Sequence, residues 1–84
     1  MKHVGVVALG QLESTLSDLR ELPDLRERST GVFYRKSKSF LHFHEDGTGL
    51  YADLRVGQEF ERLPVNSEID RDVLLAAVRR ALEL

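Results

Sequence analysis

The apolar positions of this chain change period along its length. Leu9, Leu12, Leu16 and Leu19 are spaced three, four and three apart, with Gln11, Glu13, Ser14, Ser17, Asp18 and Arg20 between or beyond them. That spacing puts the leucines on one stripe of a helix and the polar residues largely outside it. The helix is expected to end by Leu22, because Pro23 disfavours helical geometry at the residue before it and has no N–H to donate. Upstream, Gly5 and its valine neighbours leave Val4 to Ala8 readable as an extension of the helix or as a short strand. Residues 26–31 are polar and read as a connector.

From Val32 the period drops to two. Val32 to Lys36 is rich in strand formers, and Ser37-Lys38-Ser39 is expected to turn it into the next strand. The run Phe40-Leu-His-Phe-His-Glu-Asp-Gly-Thr-Gly-Leu-Tyr-Ala-Asp-Leu54 then has two alternating segments flanking a turn. With Asp46-Gly47 as a two-residue turn, Phe43 pairs with Leu50, His42 with Tyr51, Leu41 with Ala52 and Phe40 with Asp53. Leu41, Phe43, Leu50, Ala52 and Leu54 then share one face. Phe40, His42, His44, Tyr51, Asp53 and Arg55 share the other.

Residues 59–65 read as a further edge strand, since Pro64 cannot donate to a central ladder. Ser67 and Asp70 make a capping-box-like Ser-x-x-Asp, which predicts a second helix from about Ser67 to Leu82. Leu74, Ala77, Val78, Ala81 and Leu82 form its stripe, with Leu75 alongside. Two apolar helix stripes need a surface to bury against, and the Leu41/Phe43/Leu50/Leu54 face matches them. The expected fold is therefore a single α+β domain over residues 1–84, ordered α-β-β-β-(β)-α, with three or four antiparallel strands and both helices on one sheet face.

Length and composition narrow the functional classes. With 84 residues there is material for one modest core. No cysteine is present, which removes disulfides and thiolate metal sites. The opening residues lack a convincing signal cleavage site and form too short an apolar run to span a bilayer, so a cytoplasmic protein is expected. A net charge of −2 argues against a protein held on nucleic acid by overall charge, although Arg35, Lys36 and Lys38 form a local basic cluster suited to phosphate contacts.

The stretch Leu19-Arg-Glu-Leu-Pro-Asp-Leu-Arg-Glu-Arg-Ser-Thr-Gly-Val-Phe-Tyr-Arg-Lys-Ser-Lys-Ser-Phe-Leu-His-Phe-His-Glu-Asp-Gly-Thr-Gly-Leu-Tyr-Ala-Asp-Leu54 resembles the MmcQ/YjbR-like family. There, a helix ends in a Leu-Pro-Gly type turn and a hairpin closes on Asp-Gly. The resemblance covers about residues 9–56, with a looser echo in the last helix. It implies an α+β fold related to frataxin-like topology and a DNA-binding activity, and it carries over no catalytic residues.

No nucleophile elbow, P-loop, zinc-protease helix or dinucleotide fingerprint is present, and Gly47-Thr-Gly49 is accounted for by turn geometry. His42 and His44, with Asp53 diagonally near, have a spacing that holds a metal when a third ligand converges, but the ligand set is incomplete. The residues lead to a non-enzymatic interaction module with no metal and no cofactor. Its expected working surface is the sheet face bearing Tyr34, Phe40, His42, His44, Tyr51, Asp53 and Arg55, used to form a homodimer or dock a protein. The alternative is nucleic acid stacked on Tyr34, Phe40 and Tyr51, with Arg35, Lys36 and Lys38 on phosphates.

Overall fold

The computed structural model describes residues 2–3 and 5–83. Along the chain these form β1 (Lys2–His3), α1 (Val6–Arg20), β2 (Arg26–Ser29), β3 (Val32–Arg35), β4 (Lys38–Asp46), β5 (Gly49–Val56), β6 (Glu59–Pro64) and α2 (Glu68–Leu82). Every strand pairing is antiparallel. Five strands lie in the order β2-β3-β4-β5-β6, and the short β1 pairs with β4. The α+β class and the helix-strands-helix order expected from the sequence hold. The sheet is larger than the three or four strands expected, because residues 26–29 are a strand and not a connector, and Lys2–His3 adds a short one.

A strand at Arg26–Ser29 escapes hydrophobic patterning because it contains no apolar residue. Its inward position is Glu27, which faces Phe33 across the ladder. Glu27 is made tolerable there by Arg20 of α1, whose Nε and Nη2 donate to its two carboxylate oxygens at 2.6 and 3.2 Å. The Gly31 amide donates to it at 2.9 Å as well. These hydrogen bonds hold the Glu27 carboxyl below the ordinary carboxylate range, against the opposing effect of partial burial. An edge strand of charged residues also resists pairing with a second chain.

One core lies between the helices and one sheet face. Leu12, Leu16 and Leu19 of α1, Phe33, Leu41 and Leu54 of the sheet, and Leu74 and Val78 of α2 are all fully buried. Leu9, Leu22, Leu75, Ala77 and Leu82 pack partly against them. α1 begins at Val6, so the helical alternative for this region holds from that residue; Val4 lies outside the described residues. Glu45 ties the N-terminus of α1 to the sheet, accepting from the Gly5 amide at 2.6 Å, where a carboxylate also suits the positive end of the helix dipole. α2 starts on the expected capping box: Ser67 Oγ accepts from the Asp70 amide at 3.0 Å, and Asp70 Oδ2 accepts from the Ser67 amide at 3.3 Å.

The β4–β5 hairpin is shifted by two residues from the sequence expectation. Leu41 pairs with Leu54, Phe43 with Ala52, His42 with Asp53 and His44 with Tyr51. The turn residues are Gly47-Thr48 instead of Asp46-Gly47, because Asp46 Oδ1 accepts from both the Thr48 amide (2.8 Å) and Thr48 Oγ1 (2.6 Å), a side-chain turn that closes one step later. A shift of two leaves each strand's inner and outer residues in place. Gly49 follows with φ +141°, and a Cβ there would lie 2.7 Å from Asn66 Oδ1. Asn66 needs that space, since it accepts from the Leu50 amide at 2.8 Å and thereby anchors the connection into α2.

Alternation breaks in β4. Opposite β3, Phe33 pairs with Leu41 and Tyr34 with Ser39, so Phe40 is an extra residue in the ladder. Such a bulge redirects a side chain, and Phe40 joins Leu41 in the core at 2% exposure. The β3–β4 turn is Lys36-Ser37, one step earlier than expected, and both residues adopt positive φ, 51° and 70°.

Candidate functional site on the open sheet face

The helices leave the other sheet face uncovered, and the strand registers place its residues. β2 contributes Arg26 and Arg28, β3 Val32 and Tyr34, β4 His42 and His44, β5 Tyr51, Asp53 and Arg55, and β6 Phe60 and Arg62. Of the residues expected here, Tyr34, His42, His44, Tyr51, Asp53 and Arg55 are brought together. Phe40 is not, for the reason given by the bulge. Phe60 takes over as the exposed apolar ring, 42% exposed.

Asp53 is the centre of the polar arrangement. Its Oδ2 lies 3.2 Å from both His42 Nε2 and His44 Nε2, and its Oδ1 accepts from Arg62 Nε at 3.0 Å. Asp53 stands directly opposite His42, not diagonal to it, as a consequence of the shifted register. Burial pushes its carboxyl up, but the hydrogen bonds from Arg62 and then the close approach of His44 outweigh this and hold it below the ordinary range. His44 is 5% exposed. Its Nε2 approaches Asp53 off the hydrogen-bonding direction, and its Nδ1 has no hydrogen-bond partner. Both imidazoles thus converge on Oδ2, to which Arg62 Nη2 also donates at 3.4 Å. Among the described residues no group of three or more His, Cys, Asp or Glu is arranged to hold a metal ion.

Around this centre, rings and guanidinium groups are layered. The Arg28 and Arg55 guanidinium carbons lie 4.6 Å from the Tyr34 and Phe60 ring centroids, and Arg62 lies 5.9 Å from that of Tyr51. His42 links the rings, 5.9 Å from His44 and 5.7 Å from Phe60, and His44 stacks on Tyr51 at 6.0 Å. Arg55 is also fixed through its Nε, which donates to the Ser39 carbonyl at 2.6 Å.

The face carries four arginines, Arg26, Arg28, Arg55 and Arg62, against two carboxylates, Asp53 and Asp46 at the hairpin turn. A surplus of positive charge therefore sits on one surface of a chain whose net charge is −2. Sequence reasoning missed three of these cations. Arg26 and Arg28 fell in the supposed connector, and Arg62 lies on a strand whose register had to be known before it could be set beside Asp53.

The expected phosphate cluster is divided. Arg35 turns away from the face: its Nη1 and Nη2 donate to the Ala81 and Leu82 carbonyls at 3.3 and 2.9 Å, closing the C-terminus of α2. Lys36 and Lys38 stay exposed at the β3–β4 turn. A groove of about 760 Å³ runs along the β2 edge, where Arg20 and Glu27 are spent on each other. No described helix is long and apolar enough to cross a membrane.

Comparison with known proteins finds no matching family model, no matching curated protein and no matching solved structure.

Proposed function

We propose that the protein is a non-enzymatic interaction module whose open sheet face takes single-stranded nucleic acid. The observation that supports this reading is the segregation of charge: four arginines, three of them layered on aromatic rings, occupy one surface of an acidic chain. Guanidinium planes and aromatic faces both stack on unpaired bases, and the arginine cations neutralise phosphates. A duplex buries its base faces and leaves that stacking surface unused.

A second copy of the chain, the other occupant considered, fits the charge less well. An isologous contact joins a patch to itself, so this face would bring like-charged arginine clusters together. The resemblance to the MmcQ/YjbR-like family points to nucleic acid on separate grounds.

Fluorescence anisotropy with a labelled ten-nucleotide single strand is the direct test. Binding is expected at about 50 mM salt and should weaken steeply by about 200 mM as counterions are released. Arg28→Ala combined with Arg55→Ala should flatten the slope of log K against log salt by roughly 1 to 1.5. No binding at about 50 mM salt, together with a dimer that Tyr51→Glu dissociates in sedimentation equilibrium, would replace this reading with self-association.

A further inference from the structure

Outside the open face, one cavity combines charge, shape and unusual backbone. It has a volume of about 270 Å³ and lies where the β3–β4 turn meets the end of α2. Arg35, Lys36, Lys38 and Arg55 line it, with Phe40 and Ala81 as its apolar wall, and among the described residues none that lines it is a carboxylate. We propose that this cavity is a binding site for a phosphate monoester.

The C-terminus of a helix ordinarily repels an anion, because its last carbonyls project negative charge. Here that objection is met locally. Arg35 donates both terminal nitrogens to the Ala81 and Leu82 carbonyls, covering the oxygens that would face the ligand. Arg35 also lies 6.0 Å from the Phe40 ring centroid, so its guanidinium forms part of the wall. Arg55 is pinned by its Nε to the Ser39 carbonyl, which fixes its position at the rim. Lys36 and Lys38 supply the exposed cations, on either side of Ser37.

The turn itself adds a second observation. Lys36 and Ser37 both hold positive φ, 51° and 70°, where glycine or asparagine is the easier choice. A lysine in such a position carries its charge at the expense of the local backbone preference, a pattern associated with functional sites. A phosphate monoester suits the cavity better than a carboxylate, because it carries close to two negative charges near neutral pH and three acceptor oxygens for several separate donors. The volume accepts the phosphate together with a small organic group.

Such a group has two sources: a small phosphate ester, or the terminal phosphate of a strand lying on the adjacent face, where Arg55 is common to both surfaces. The inference does not depend on the nucleic-acid reading, and the experiment separates the two. Amide spectra of the full chain are recorded during titration with inorganic phosphate and with adenosine monophosphate, at ionic strength held constant with chloride. Saturable shifts are expected at Lys36, Ser37, Lys38 and Ser39. Lys36→Gly removes a cation while giving the positive-φ position its preferred residue, so the fold should be kept and its thermal midpoint should not fall; phosphate affinity should drop at least about threefold, with Lys38→Ala adding a further loss.

In parallel, 5′-phosphorylated and 5′-hydroxyl forms of one single strand are compared. A gain for the phosphorylated form that Lys36→Gly abolishes identifies the strand end as the source. Saturable binding of free phosphate esters without such a gain identifies a small ester, and it supports the site even if no strand binds the face. Shifts that chloride alone reproduces, or that persist unchanged in Lys36→Gly with Lys38→Ala, would overturn the site while leaving the reading of the sheet face intact.

Discussion

On the helix-covered side of the sheet, Phe33, Leu41, Ala52 and Leu54 are fully buried, whereas on the other side of the same strands Tyr34, His42, Tyr51 and Arg55 keep part of their surface in solvent. The first side is held by apolar burial, which is non-directional and tolerates a shift of register by two. The second is held by polar contacts around Asp53, which accepts a directional hydrogen bond from Arg62 at 3.0 Å and has two histidine nitrogens at 3.2 Å. Substitution should therefore act through lost packing on one side and, under the proposed function, through lost polar and stacking contacts on the other.

The largest effect is expected from the covered side. Leu54→Ala removes a fully buried side chain from the middle of the core and should lower unfolding free energy by about 2 to 5 kcal/mol. Urea titration measures it. A loss below about 0.5 kcal/mol would mean that the covered face is misassigned.

Gly49 joins the two regimes, since it lies on the hairpin but is constrained by the lead-in to α2. Its φ of +141° is accessible to glycine almost alone, and a Cβ would press on Asn66 Oδ1 at 2.7 Å. Gly49→Ala should cost roughly 1 to 3 kcal/mol from backbone strain and the disturbed Asn66 contact. Thermal unfolding alongside Gly47→Ala gives the control, because a Cβ at Gly47 meets nothing within 4 Å. Equal losses at the two positions would show that the Asn66 contact does not constrain Gly49.

Asp53 tests the directional side. Its carboxyl is depressed in the fold, so its ionised contacts stabilise the protein above the unfolded value of about 3.9 and are lost as pH falls through the lower folded value. Asp53→Asn has no such titration and weakens the partners of Arg62 and His44. The variant should be less stable at pH 7 by about 1 to 2 kcal/mol, and the gap should close as pH falls below about 4. A gap of unchanged size at pH 3 would show that packing around Asp53, not its charge, is what the substitution removes.

The same division explains what the sequence revealed. Residues 41–44 and 50–54 alternate between inward and outward side chains, so their two faces were legible although the turn was placed one residue early. The capping box at Ser67 and Asp70 was legible because it is a local contact. Arg26–Ser29 was not, since an edge strand whose inward residue is a glutamate held by Arg20 has no apolar signal to read. Phe40 was misplaced because a bulge depends on the partner strand, and the role of Arg35 was hidden because the carbonyls it holds lie 46 and 47 residues away in sequence.

The smallest stability effect and the most specific binding effect should coincide at Phe60. Its ring lies on the edge strand β6, 42% exposed, between the Arg55 guanidinium at 4.6 Å and the His42 ring at 5.7 Å. Phe60→Ala removes little buried area, so urea unfolding should change by no more than about 0.5 kcal/mol. Loss of one stacking platform is worth about 1 to 3 kcal/mol per base, which converts to a roughly 5- to 150-fold weaker Kd for a short single strand. A stacking role also leaves the salt dependence of binding unchanged, because no cation is removed. Phe60→Leu separates stacking from general apolarity: it preserves bulk without a π face and should recover little of the lost affinity. Full affinity in Phe60→Leu would reduce the ring to an apolar contact, and an altered salt slope in Phe60→Ala would mean that it acts by positioning Arg55.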